Sequence, residues 1–190
     1  MVEHQIRETQ IQNQKMTTIK TKRISIKEGD IFTIPIDEHT QGYGQIVKMP
    51  NKYEFIMIVF EGKWPVEREI KLDNVVNQTV LFLGYTTDTL LNLGRWKIVG
   101  NSVLNLSSIT MPYYKLAFPP ETKLVNYKLD FVRMATPEED KLLNFQSSRS
   151  PIGYQNMLQA HYGIGQCEEE LKYNYKHIVN TMAKLNLLPN

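Results

Sequence analysis

The sequence predicts an α+β fold: a strongly bent, mostly antiparallel β-sheet or small barrel over about residues 19–132, followed by C-terminal helices. Three observations point there. Short apolar or alternating runs, punctuated by Gly, Pro, Asn and Asp, fill the chain up to Phe131. Helix-start signals gather after Thr136. The regular strand–helix alternation that parallel crossovers require is missing. The change near Met134 divides the chain into a polar N-terminal tail (1–17), a β-rich domain (18–134) and a helical region (135–190) packed on it.

The tail is Gln-rich, interrupted by Ile6 and Ile11, and has no sustained apolar stripe. Ile19 to Ile26 alternates weakly and predicts a first strand, with Ile24 and Ile26 on one face. After the turn Lys27-Glu28-Gly29-Asp30, the run Phe32, Ile34, Ile36 has period two. Pro35 lacks an N–H and marks an edge or the end of pairing. Asp37 to Gly42 is a polar loop. Gly42-Tyr43-Gly44 opens the next strand and fits a bulge or tight bend. A phosphate-cradling reading of these glycines needs a helix directly after them, and Gln45-Ile46-Val47 is strand-like instead. Tyr53 to Phe60 is the most apolar run and predicts a central strand covered on both faces.

Glu61-Gly62-Lys63 turns the chain into a more polar strand from Trp64 to about Leu72. Val80 to Tyr85 is a buried strand. Thr87 or Asp88 can cap the helical turns that follow, and Gly94 supplies the left-handed residue that ends them. Trp96 then sits between a helix end and the strand Trp96 to Val99, where an indole buries most of its area. Met111-Pro112-Tyr113-Tyr114 lies in an edge-like segment, and Pro119-Pro120 makes a rigid break. Val125, Tyr127, Leu129 and Phe131 alternate as one more strand. Thr136-Pro137-Glu138-Glu139 is a capping box with proline at the first helical position, for a helix to about Phe145. Ser150-Pro151 starts a second helix, ending near Gly163. A last helix begins near Cys167, with Glu168, Glu169 and Glu170 at its positive end and the stripe Leu171, Tyr175, Ile178, Met182, Leu185.

At 190 residues and 42% hydrophobic, the chain has enough apolar mass for one large domain. A net charge of +2 gives no general attraction to nucleic acid, and the cluster Lys15, Lys20, Lys22, Arg23, Lys27 is followed at once by Glu28 and Asp30. One cysteine, Cys167, excludes an internal disulfide and suits a reducing compartment. The N-terminus has no apolar signal core, and the longest apolar run, Phe55 to Phe60, is far short of the roughly 20 residues of a membrane span. The expectation is a cytoplasmic protein without a membrane partner.

Chemistry is hard to find. His4, His39, His161 and His177 are scattered, with none at the i+4 spacing of a zinc helix, so no metal site is expected. Cys167 begins a helix, which favours thiolate, but three glutamates follow and oppose it. Glu138, Glu139 and Asp140 are accounted for as helix-start charge. Gly163-Ile164-Gly165 reads as a helix-to-helix turn. No Walker loop, G-x-S-x-G or H-E-x-x-H occurs. No catalytic residue, cofactor or small-molecule substrate is expected.

Several stretches taken in order resemble the immunity protein 26 family of bacterial polymorphic-toxin systems. They are GDIFTIPI (Gly29–Ile36), GYGQIV (Gly42–Val47), the apolar strand ending in VFEG at Gly62, TTDTLLNLGRWKIVGN (Thr86–Asn101) and Met111-Pro112-Tyr113. The resemblance covers roughly Lys27 to Pro120. It implies a non-enzymatic protein that binds a cognate bacterial toxin and occludes its active site. It assigns no binding residues. The matching positions Gly29, Asp30, Gly42, Gly44, Gly94, Trp96, Gly100 and Pro112 read as structural. The alternative is a small nucleic-acid-binding β-barrel, which the basic cluster and the bent strands would serve. A hydrolase built on Cys167 and His161 is a third reading.

Overall fold

The computed structural model describes residues 23–167 and 170–188. In chain order the elements are β1 (Asp30–Pro35), β2 (Thr40–Lys48), β3 (Phe55–Phe60), β4 (Trp64–Pro65), α1 (Leu72–Val76), β5 (Val80–Thr86), α2 (Thr89–Asn92), β6 (Ile98–Asn101), β7 (Tyr114–Phe118), β8 (Glu121–Val125), β9 (Phe131–Met134), α3 (Pro137–Leu142), α4 (Pro151–His161), α5 (Glu170–Tyr173) and α6 (Tyr175–Lys184). A 3₁₀ turn at Leu106–Ser108 separates β6 from β7. The fold is α+β. The larger sheet has the order β5-β3-β2-β1-β6, with β4 beside the start of β2, and the smaller is the meander β7-β8-β9. Every pairing within the two sheets is antiparallel. Among the described residues neither sheet closes into a barrel, so the open, bent sheet is the form adopted.

β3 shows why its sequence is apolar without a break. Successive side chains point to opposite faces of a sheet. Phe55, Met57 and Val59 join Phe32, Ile34, Ile36 and Ile46 in one core, closed by Met157 and Leu158 of α4. Ile56, Ile58 and Phe60 join Ile31, Val47, Leu83 and Tyr85 in a second core, with Val75 and Val76 of α1. All six β3 residues are buried. Pro35 lies in an inner strand, but at the end where β6 has stopped running alongside β1.

Gly42 and Gly44 do not form the bulge that their sequence suggests. Both sit in regular register, and the irregularity in β2 falls between Ile46 and Lys48. Their role is close approach: a Cβ on Gly44 would lie 2.6 Å from the Phe32 ring, and one on Gly42 2.6 Å from Leu158 Cδ2.

Several elements differ from the sequence prediction. The polar strand from Trp64 to Leu72 is cut to two residues and replaced by α1. Leu72, Val75 and Val76 share one face of a helical turn, the i, i+3, i+4 pattern. The strand from Val125 to Val132 is split by a turn: Asn126 Oδ1 accepts from the N–H of Lys128 and Asp130 at 2.8 and 3.0 Å, and Leu129 adopts φ +67°. Asn competes locally for backbone partners in this way. The predicted Ile19–Ile26 strand lies partly outside the described residues. From Arg23 the chain is not strand but is tied to α2, with the Ile24 N–H donating to Asn92 Oδ1 at 3.0 Å and Arg23 Nε to Asp88 at 2.6 Å. Asp88 therefore spends its carboxylate on Arg23 and makes no side-chain cap on α2. The last helix is broken at Asn174, whose Oδ1 accepts from the His177 N–H and starts α6.

The helix-start signals at Thr136 and Ser150 both operate. Thr136 and Glu139 bond each other's backbone N–H, at 3.2 and 2.7 Å, and Ser150 accepts from Gly153 N–H. α3 stops at Leu142, one turn short of Phe145.

Gly94, at φ +67°, ends α2, and the next two N–H groups, of Arg95 and Trp96, both donate to Leu90 O. That turn drops the Trp96 indole into the first core, where it is 1% exposed. It stacks on Phe32, with centroids 5.1 Å apart and planes 12° from parallel, and its Nε1–H donates to Gln155 Oε1 of α4 at 3.2 Å. The indole thus joins β1, α2 and α4.

Tyrosines dock the C-terminal helices on β5. Tyr154 packs edge-on against Tyr173, and both close over Gly84, where a Cβ would lie 2.3 Å from the Tyr154 hydroxyl. Tyr85 packs against Tyr114 and donates to the Tyr127 carbonyl. Burial, helped by the charges of Glu54 and Tyr127, pushes the Tyr85 phenol up to about 12. Burial likewise raises Tyr114 and Tyr154.

Truncating Trp96 to alanine is expected to destabilise the protein by about 3–5 kcal/mol, read from urea denaturation. A loss below about 1 kcal/mol would show that the indole does not organise the first core. The phenols make a second expectation. In the unfolded chain they ionise near 10, whereas in the fold Tyr85 keeps its proton to about 12. Below pH ~10 both states are protonated and stability is unaffected. Between ~10 and ~12 the unfolded chain releases protons first, so stability falls through that window. Urea midpoints that stay flat from pH 9.5 to 12 would contradict the burial of these phenols.

Candidate interaction surface

The positions singled out by sequence fall into separate places. Gly29, Asp30 and Gly100 meet where β6 is fastened to β1. Gly29 adopts φ +88°, its N–H donates to Ile46 O at 2.8 Å, and its carbonyl accepts from Ser102 N–H at 3.0 Å. The buried Asp30 carboxylate accepts from Lys27 N–H and from Asn101 Nδ2, each at 2.9 Å. A Cβ on Gly100 would lie 2.4 Å from Leu72 Cδ1, so this glycine lets α1 close on the strand.

Beside this junction is a polar pair that sequence reasoning missed. Gln45, wholly buried in β2, donates from Nε2 to Ser102 O at 2.8 Å and to Asn105 Oδ1 at 3.1 Å, and its own Oε1 accepts from Asn105 Nδ2 at 2.7 Å. The loop after β6 is thereby held over the second core. The only signal in the sequence was a glutamine at an inward-facing position of an apolar strand.

Pro112 lies elsewhere, in a narrow apolar cleft between the start of β7, the end of α3 and α6, lined also by Tyr113, Phe145, Tyr173, Ile178 and Met182. Gly94 faces open space and Trp96 is internal. The titratable candidates do not converge on one site. Cys167 Sγ is 3.3 Å from Arg149 Nη2 and packs against the first core. His161 stacks edge-on against its neighbour Tyr162. His4 and the lysines 15, 20 and 22 lie outside the described residues. Glu139 is buried and accepts from Arg133 Nη2 and Nη1 at 2.6 and 2.7 Å, and that contact holds its carboxyl below the usual range against the effect of burial. Among the described residues no group of three His, Cys, Asp or Glu could hold a metal ion, and no helix is long and apolar enough to cross a membrane.

What the structure does present is an exposed apolar platform on the meander. Directly paired residues share a face of a sheet. The register places Tyr114 with Val125, Leu116 with Lys123 and Phe118 with Glu121 on one face, and Lys115 with Leu124 on the other. The second face is covered by α3: Leu124 is fully buried, Arg133 grips Glu139, and Lys115 pairs with Asp140. The first face is divided. Its inner end is buried, with Val125 1% exposed and Tyr114 against Tyr85. Its outer end stands in solvent, with Leu116, Phe118 and Phe131 46%, 53% and 58% exposed. Lys123 Nζ lies 3.4 Å from the Phe118 ring centroid and 5.6 Å from that of Phe131.

The family model described as immunity protein 26 matches residues 27–121, half of the chain, and the chain belongs to that family. No curated protein and no solved structure matches it. The matched stretch runs from the turn before β1 to the first residue of β8, so it includes the whole larger sheet, the Asp30–Asn101 contact and the Gln45–Asn105 pair.

Replacing Asn105 with alanine removes two of the hydrogen bonds of the buried Gln45 amide. The expected destabilisation is about 1–3 kcal/mol, measured by denaturant unfolding. A change within about 0.5 kcal/mol would mean that water or a shifted loop satisfies Gln45 without Asn105.

Proposed function

We propose that this member of the immunity protein 26 family is a toxin-neutralising binding protein of the cytoplasm. It binds a cognate protein toxin and occludes that toxin's active site, with no chemistry of its own. The observation that carries this reading is the family match over residues 27–121. The structure supports it from a second side. The polar groups around the matched glycines turn inward and hold strands and loops, as Asp30 does for Asn101 and Gln45 for Asn105. The exposed outer end of the meander is apolar and supported from behind, which suits a binding surface. A net charge of +2 does not suit an acidic mimic of nucleic acid, so occlusion rests on shape and apolar contact.

Co-expression with the toxin domain encoded beside its gene is expected to give a complex stable through gel filtration, with roughly 1,200–2,000 Å² of buried surface. It is also expected to restore growth to cells making that toxin. Separate elution of the two proteins, with no rescue, would remove the reading.

A further inference from the structure

We propose that the outer face of the β7-β8-β9 meander is the surface that seats the toxin, and that it takes an apolar patch of the toxin bearing a carboxylate opposite Lys123. This rests on the toxin-binding reading above and gives it a location.

Phe118, Phe131 and Leu116 are three large apolar side chains on one face, each close to half exposed or more. Aromatic anchors of this kind carry a disproportionate share of interface energy when a partner covers them. The platform is also already in place. The Arg133–Glu139 pair holds its back to α3 with Leu124 buried on that side, and Tyr114 holds its root to the second core with Val125 buried beside it. Little ordering therefore remains to be done on binding.

Lys123 supplies the partner's chemistry. Its ammonium lies against both phenyl rings and makes no ion pair among the described residues. The rings satisfy one side of the charge. Glu121 lies on the same face but makes no ion pair with Lys123, so solvent meets the N–H donors left over until a partner supplies an acceptor, and a carboxylate is the strongest one available in an interface.

β7, with Leu116 and Phe118, lies inside the matched stretch, and Lys123 and Phe131 lie just beyond residue 121.

The test uses the full chain and the toxin domain encoded beside its gene, with affinity measured for the wild type, Phe118→Ser/Phe131→Ser, Lys123→Glu and Lys123→Met. The double serine variant is expected to bind at least about 30-fold more weakly with an unchanged melting temperature. Lys123→Glu is expected to lose at least about 10-fold, and Lys123→Met less. Hydrogen exchange on the unaltered complex gives a readout free of folding effects, with amides of residues 116–134 slowed by the toxin. A wild-type complex whose affinity and exchange ignore these residues would overturn the surface and leave the toxin reading standing. No wild-type complex at all would overturn both. Dimerisation of the chain abolished by the double substitution would assign the face to a second copy and overturn the toxin as its occupant.

Discussion

The structure depends on one constraint: β3 is apolar on both faces and must be covered on both. A strand that offers no polar face cannot sit at the surface of a sheet. Its six residues therefore call for two cores, and the rest of the chain is arranged to supply them. Trp96 stacked on Phe32 and α4 above it complete one. Tyr85, α1 and the root of the meander complete the other. The polar contacts of Asp30 and Gln45 sit between these cores and the outside, where they keep the edge strand β6 and its following loop from opening.

Most of this was legible where a residue's local chemistry and its tertiary setting agree. The period-two runs of β1, the unbroken run of β3, the capping box at Thr136 and the stop at Gly94 all act locally as their sequences predict. The misreadings came where a longer-range partner decides. Asp88 looks like a cap until Arg23, 65 residues earlier in the chain, takes its carboxylate. Gly42 and Gly44 look like a bend until Leu158 and Phe32 are seen pressed against them. The alternation from Val125 to Phe131 looks like a strand until Asn126 turns the chain back.

The candidate surface was less legible than the fold for the same reason. Phe118 and Lys123 flank the Pro119-Pro120 break and Phe131 ends an alternating run, so nothing in the sequence brings the three together. Only the register of β7, β8 and β9 places a lysine against two phenyl rings. The matched glycines and Trp96, by contrast, stand out in the sequence because the backbone or the core leaves no alternative there, and they say more about folding than about partners.

The divided face of the meander has an evolutionary consequence. Tyr114 and Val125 lie inward, while Leu116, Phe118 and Phe131 stand about half exposed. Substitutions at the outer positions leave the packed interior intact, and surface changes of that kind usually shift stability by no more than about 0.5 kcal/mol. The tip can therefore drift through many side-chain combinations while the molecule continues to fold, so a lineage can explore new surfaces without first losing its scaffold.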